Sequence, residues 1–246
     1  MDTWTREQTI IALSVYCRIP FNKALNTHPE IVSAAKLIGR SPSAVKMKVG
    51  NFGSFDPELK ARGIVGLTNS SKMDEAVWNE YCNDWERLAY DSEIIRTKFE
   101  AETYGIKSLP TIQEREAIVK QRISQAFFRT AVLSSYDNRC CISGLSCIDL
   151  LEACHIVGWA ANIENRLNPS NGICLNTLFH KAYDMHYIGI TPDYKVMISE
   201  RLFDGNTSDS GIYTFFRQYH GIKIRLPNKF MPSKELLYIH HQRFIS

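Results

Sequence analysis

The chain has no run of about 18 uninterrupted apolar residues, and its first residues carry charge where a secretory signal needs an apolar core. We therefore expect neither a membrane span nor export, and a cytoplasmic location. No segment is low in complexity and no repeat occurs at solenoid periods, which argues against disorder and repeat arrays. A chain of 246 residues with a hydrophobic fraction of 44% predicts one large or two small folded domains.

Paired cysteines of the kind that hold structural zinc are also absent. The chain has seven cysteines, an odd number, and none forms a C-x₂-C pair. In a protein without an export signal, this predicts reduced thiols rather than a disulfide framework. The net charge of +3 permits a polyanionic partner without demanding one.

Acidic residues are missing between Ile31 and Phe55, where two short helices with a four-residue turn are predicted. Gly39 stands where a left-handed helix cap is needed, and Ser41 and Pro42 begin the second helix. The turn over residues 37–45 resembles that of Myb-like helix-turn-helix domains. A solvated basic surface is the alternative to DNA binding; under the DNA-binding interpretation the contacts are made by Lys36, Arg40, Lys46 and Lys48.

Apolar and aromatic residues at helical spacing predict one long core helix from Ser71 through Leu88. Residues 101–110 are typical of a linker, and Thr111 with Glu114 is a capping box for a further helix. We therefore predict a helical domain over residues 1–104 and a second domain over residues 105–246.

Short elements follow, in the order strand, strand, helix. Residues 150–156 and 173–175 are predicted strands, and a helix runs from Asn176 through Asp184. His155 ends the first strand, Asn171 precedes the second, and His180 and Asp184 share one helix face because they are four residues apart.

These residue types suit phosphodiester hydrolysis. A neutral imidazole deprotonates water near neutral pH, which makes His155 the candidate general base. His180 and Asp184 can hold a cation that neutralises charge on the transition state. Asn171 is suited to orienting the imidazole ring.

Four segments together resemble the HNH nuclease superfamily, in particular its restriction endonuclease branch: Cys141-x-x-Gly144, residues 151–156, residues 168–175 and residues 180–184. The resemblance extends over roughly the last 130 residues. It implies an α+β fold in which the helical N-terminal domain precedes a ββα-metal nuclease domain. It also implies that His155 is the general base, Asn171 the middle residue of the motif and His180 a metal-contacting residue.

Cys154 departs from the family pattern, because many HNH enzymes have an acidic or histidine ligand immediately before the general base. A thiol is a poor ligand for Mg²⁺, the cofactor that the resemblance implies, with Mn²⁺ or another divalent ion as alternatives. Asp184 ranks first as the replacement oxygen ligand, Glu152 second, and a softer metal bound through Cys154 third.

The predicted function is a metal-dependent endonuclease of restriction type that acts on specific or modified double-stranded DNA. A homodimer is expected from mechanism, because two single-metal sites would then cut both strands. The alternative is a non-catalytic DNA-binding protein with a degenerate metal site, which Cys154 keeps open. An RNA-directed toxin is a third possibility.

Overall fold

The computed structural model describes residues 3–64, 66–67, 69–104, 116–159, 161–162, 164–203 and 211–245. The chain divides into two compact units, Met1–Ser134 and Ser135–Ser246. The first is helical and the second mixes helices with short antiparallel strands, which confirms the predicted α+β class. None of the helices in the described part is long and apolar enough to cross a membrane.

The first unit is built around its first helix, whose residues from Thr9 to Cys17 are all buried. That helix packs against four of the helices that follow it. In order, the helices are α1 (Arg6–Arg18), α2 (Pro29–Leu37), α3 (Pro42–Gly53), α4 (Pro57–Ala61), α5 (Lys72–Tyr81), α6 (Trp85–Tyr104) and α7 (Glu116–Ser135).

The predicted pair of helices with a four-residue turn is present as α2 and α3. The hydroxyl of Ser41 accepts a hydrogen bond from the backbone N–H of Ala44, as an N-cap does. Gly39 has φ +67°, the left-handed conformation that lets α2 end sharply. Both local predictions are therefore confirmed.

The prediction of one continuous helix from Ser71 through Leu88 is wrong, because two helices cover this range. α5 ends at Tyr81 and α6 begins at Trp85, while the carboxylate of Asp84 accepts a hydrogen bond from the N–H of Arg87. An N-terminal cap of this kind starts a new helix where apolar periodicity alone suggests continuity. The aromatic residues themselves are buried, as expected, with Trp78 packed against Tyr16 and Phe52.

The part of the predicted linker that the structure describes, residues 101–104, is helical, because α6 continues through Tyr104. Residues 105–115, which include the predicted capping box of Thr111 and Glu114, lie outside the described residues. The predicted domain boundary at 104/105 falls at the edge of that gap. The two compact units divide after Ser134, at the end of α7, and the boundary at 104/105 stays a prediction.

The described residues of the second unit form two hairpins and three α-helices. Its elements are β1 (Leu151–His155), β2 (Gly172–Asn176), α8 (Thr177–Asp184), β3 (Ile188–Ile190), β4 (Val196–Ile198), α9 (Gly211–Arg217) and α10 (Lys234–Ile245). β1 pairs with β2 and β3 with β4, both antiparallel. Lys195 also forms an isolated β-bridge with Lys223.

Candidate metal centre and catalytic cleft

The β1–β2 hairpin and α8 form the frame of the site. In the register of the hairpin, Cys154 lies opposite Ile173 and His155 opposite Gly172. β2 runs directly into α8, whose N-terminus is capped by the side chain of Asn176. α8 buries Phe179, Ala182 and Tyr183, so its other face presents His180 and Asp184.

Three side chains from β1 and α8 converge as possible metal ligands. One ligand atom from each of Cys154, His180 and Asp184 lies within 4.8 Å of the others. His180 Nε2 is 3.4 Å from Asp184 Oδ2, and Cys154 Sγ is 3.9 Å from Asp184 Oδ1. The strand and the helix thus bring together an S, N and O donor set from positions 30 residues apart in the chain.

Glu152 contacts the other nitrogen of His180. A hydrogen bond joins His180 Nδ1 to Glu152 Oε2, and the carboxylate can only accept, so the proton sits on Nδ1. The lone pair is then on Nε2, on the side of Asp184. A carboxylate that fixes the tautomer of a ligating histidine is a common partner of metal sites. In this geometry Glu152 is placed to orient His180 through Oε2, and its role as a metal ligand stays a prediction.

The thiol of Cys154 is fully buried. Burial raises the pKa of this thiol well above its usual value, and the nearby carboxylates of Asp184 and Glu152 raise it further. The sulfur consequently carries its proton in the metal-free protein, where the backbone carbonyl of His155 at 3.5 Å and Asp184 Oδ1 at 3.9 Å are its two acceptors. A metal ion that uses this sulfur has to displace that proton.

His155 is held by a backbone carbonyl. Its Nε2 lies 2.8 Å from the carbonyl oxygen of Arg166, which can only accept, so Nε2 carries the ring proton and Nδ1 the lone pair. Burial lowers the pKa of His155 below its usual value and outweighs the opposing effect of the hydrogen bond. The ring is therefore neutral at pH 7, the form in which an imidazole accepts a proton.

Asn171 is fully buried and does not bond the imidazole ring in the way that the sequence suggested. Its side-chain oxygen accepts from the N–H of Val157, and its amide nitrogen donates to the carbonyls of Val157 and Asn165. Its backbone carbonyl also accepts from the N–H of Ile156. The residue therefore fixes the two ends of the loop that follows His155.

His155, His180 and Asp184 line one cleft with a volume of about 370 Å³. His240 and Arg243 of α10 also line it, and neither was among the predicted site residues. The ring of His240 stacks on Tyr183, with centroids 3.8 Å apart. The sequence carries no local signal that α10 reaches this cleft, because only tertiary packing brings it there.

The four predicted DNA-contacting residues have different environments in the first unit. Lys36 and Lys46 are exposed. Arg40 is half-buried and donates to the side chain of Gln8 and to the backbone carbonyl of Thr3.

Lys48 differs from the other predicted DNA contacts because it is buried. The residue is 6% exposed, and its ammonium group lies 2.6 Å from the carboxylate of Asp74. Burial alone would raise the pKa of Asp74, but hydrogen bonds from Lys48, from the N–H of Ser71 and from Asn51 lower it. Asp74 therefore remains ionised and balances the lysine charge. Lys48 is a buried structural cation, and the prediction that it contacts DNA is wrong.

The comparisons with known proteins bear on the second unit. Residues 140–191 match a family model described as HNH endonuclease. The matched segment contains β1, β2 and α8 with all the residues discussed at the metal centre. No curated protein matches the chain. The family predicted from the motifs is thereby confirmed at the level of the superfamily.

Proposed function

Because residues 140–191 form an HNH endonuclease segment, we propose that the protein hydrolyses phosphodiester bonds of double-stranded DNA with the help of a divalent cation. The observation that carries the proposal is the cleft that a half-buried, neutral histidine shares with a second histidine and a carboxylate. General base and cation ligands have to reach the same phosphate, so a common cleft is what hydrolysis requires.

His155 acts as the general base. Its Nδ1 takes a proton from water, the water oxygen attacks phosphorus, and the bond from phosphorus to the 3′ oxygen breaks. The leaving oxygen takes a proton from solvent, and His155 returns its own proton to solvent after the reaction. The carbonyl of Arg166 holds the proton on Nε2, so that the lone pair that accepts the proton from water is on Nδ1.

The residues at the centre suit a divalent cation, because Cys154, His180 and Asp184 offer ligand atoms close together. A bound cation would supply positive charge for the phosphate oxygens as negative charge develops on them. The family resemblance implies Mg²⁺, while the sulfur of Cys154 favours a softer ion.

The first unit contributes DNA binding in this proposal. Lys36 on α2 and Lys46 after the turn on α3 are exposed, and no acidic residue lies between Ile31 and Phe55. Lysines on such a surface bind the phosphate backbone without reading its sequence. We extend the proposal to a restriction role, in which the protein recognises a short sequence or modified bases. We also propose a two-fold dimer that cuts both strands.

The test is cleavage of plasmid DNA, unmodified and methylated or hydroxymethylated, with Mg²⁺, Mn²⁺, Co²⁺, Ni²⁺ and Zn²⁺. We expect His155→Ala to lower the cleavage rate by about 100- to 10,000-fold while DNA binding is retained. His220→Ala is the matched control, because His220 is exposed in the same unit outside the cleft, and it should cut at the wild-type rate.

Three results would count against the proposal. If wild-type protein binds DNA and never cuts it with any of these ions, the protein is a DNA-binding protein without catalysis. If His155→Ala cuts as fast as wild type, His155 is not the base. If RNA is degraded and duplex DNA is not, the substrate assignment fails.

A further inference from the structure

The metal centre differs from an Mg²⁺ site in its ligand chemistry. Mg²⁺ prefers six oxygen ligands in an octahedron and is bound poorly by sulfur. Among the three converging side chains, only Asp184 offers oxygen. The nearest further carboxylate, Glu152, is already hydrogen-bonded to His180 through Oε2.

Cys154 is directed into the site by the strand. Side chains alternate along β1, so Cys154 lies on the same face as Glu152, and Glu152 contacts His180 of α8. The sulfur is fully buried and lies 3.9 Å from Oδ1 of Asp184 and 3.5 Å from the carbonyl oxygen of His155. A buried sulfur that meets a histidine and a carboxylate differs from the other cysteines of the described chain, none of which is part of a metal-ligand cluster.

The spacing of the ligand atoms suits a tetrahedral ion. Bonds of about 2.3 Å to sulfur and about 2.1 Å to nitrogen or oxygen put a sulfur and an oxygen about 3.6 Å apart, and a nitrogen and an oxygen about 3.4 Å apart. The corresponding distances from Cys154 and His180 to the two oxygens of Asp184 are 3.9 Å and 3.4 Å. The two distances end on different oxygens of Asp184, so a tetrahedral ion bound by one of these oxygens requires the carboxylate to rotate; the three ligand atoms already lie within 4.8 Å of one another.

We propose that Cys154, His180 and Asp184 form a thiolate-containing centre that selects a borderline-soft divalent ion, of the class of Zn²⁺, Co²⁺ and Ni²⁺, over Mg²⁺. Three protein ligands leave a fourth position for water or a phosphate oxygen, as in catalytic zinc sites. On binding, the S–H bond of Cys154 breaks, a metal–sulfur bond forms and the proton leaves to solvent. The inference rests on the proposed nuclease site, but it concerns only the identity of the ion.

The test uses full-length protein freed of metal with a chelator and titrated with Co²⁺. A cobalt–thiolate bond produces a charge-transfer absorption in the near ultraviolet, which oxygen and nitrogen ligands do not produce. We expect this band to saturate at a single site, to disappear when Zn²⁺ is added, and to persist in a large excess of Mg²⁺. Cys154→Ser should abolish it and weaken Co²⁺ binding at least tenfold.

Cys147→Ser is the matched control, because Cys147 is an exposed thiol of the same unit, and the band should persist in it. In Cys154→Asp we expect no band and a gain in affinity for Mg²⁺. Circular dichroism identifies a variant that fails to fold, and in that case the wild-type spectrum still decides.

Co²⁺ bound to wild-type protein without the band, or displaced by equimolar Mg²⁺, would overturn the inference. Cleavage is measured separately. If the protein shows the band and never cuts DNA, the nuclease proposal is contradicted and the metal assignment stands. If the protein cuts DNA with Mg²⁺ and shows no band, the metal assignment is contradicted and the nuclease proposal stands.

Discussion

Asn171 holds Val157 by both of its backbone polar groups, at 2.9 Å to the N–H and 3.0 Å to the carbonyl. Val157 is two residues beyond His155. The same asparagine also bonds the carbonyl of Asn165, next to Arg166, whose own carbonyl accepts from the imidazole. One buried amide thus stabilises both backbone segments that position His155.

Asn171→Asp should lower cleavage by at least about 100-fold and the free energy of unfolding by about 1–3 kcal/mol. The replacement keeps the shape of the side chain but removes its N–H donors, so an oxygen faces the carbonyls of Val157 and Asn165. Cleavage rates and urea unfolding are the measurements. Co²⁺ binding should be retained, since Asn171 is not a ligand, and equal loss of metal binding and cleavage would contradict the positioning role.

Glu152→Gln should weaken metal binding by about 10- to 100-fold, and Glu152→Ala should weaken it more. Glutamine keeps an oxygen that accepts from His180 Nδ1 but lacks the charge, whereas alanine removes the acceptor. Calorimetric titration with Zn²⁺ measures both. Glu164→Gln, in the exposed part of the loop, is the control. If Gln and Ala lost affinity equally, the hydrogen-bond acceptor at this position would be without effect, which would contradict the orienting role of Glu152.

His240 should make the protein less stable in acid. Burial lowers the pKa of His240 to about 4, with further lowering by His186, against about 6.5 in the unfolded chain. Above pH 6.5, His240 is neutral in both the folded and the unfolded protein, so its ionisation does not lower the free energy of unfolding. As pH falls from about 6.5 to about 4, the unfolded state binds the proton first and stability is lost, by about 2 kcal/mol near pH 4.5.

The measurement for His240 is the free energy of unfolding in urea at pH 7 and pH 4.5. In His240→Gln the loss between these two pH values should be smaller than in wild type by about that amount. An unchanged difference in His240→Gln would show that another group causes the acid sensitivity.

Lys36→Ala and Lys46→Ala should each weaken DNA binding and reduce the slope of log affinity against log salt by about 1. Their unfolding free energies should change by less than about 0.5 kcal/mol, because both side chains are exposed. Fluorescence anisotropy at several salt concentrations gives the slope. A slope unchanged in both variants would remove α2 and α3 from the DNA-binding surface.

Lys48→Met tests whether Lys48 stabilises the fold rather than contacting DNA. Removing the ammonium group leaves the buried carboxylate of Asp74 uncompensated, so we expect a loss of about 3–5 kcal/mol in unfolding free energy. At temperatures where the variant is folded, its salt slope should equal that of wild type. A stable variant with a reduced slope would return Lys48 to the DNA-binding residues.

The local features of the chain could be predicted from its sequence. Gly39 and Ser41 act on atoms within a few residues, so the end of α2 and the start of α3 follow from residue type. The start of α8 also depends on neighbouring residues, because the side chain of Asn176 accepts a hydrogen bond from the N–H of Phe179. The order of His155, Asn171 and His180 along these elements is therefore a property of the sequence, and it is sufficient to indicate the superfamily.

Partners distant in the chain were decided only by the tertiary structure. Lys48 and Asp74 are 26 residues apart, and Glu152 and His180 are 28 apart. The sequence alone therefore does not tell a buried lysine from an exposed one, or a ligand from the residue that orients it. Burial and pairing depend on which surfaces pack together, and that packing turned Lys48 into a core residue and directed Cys154 toward His180 and Asp184.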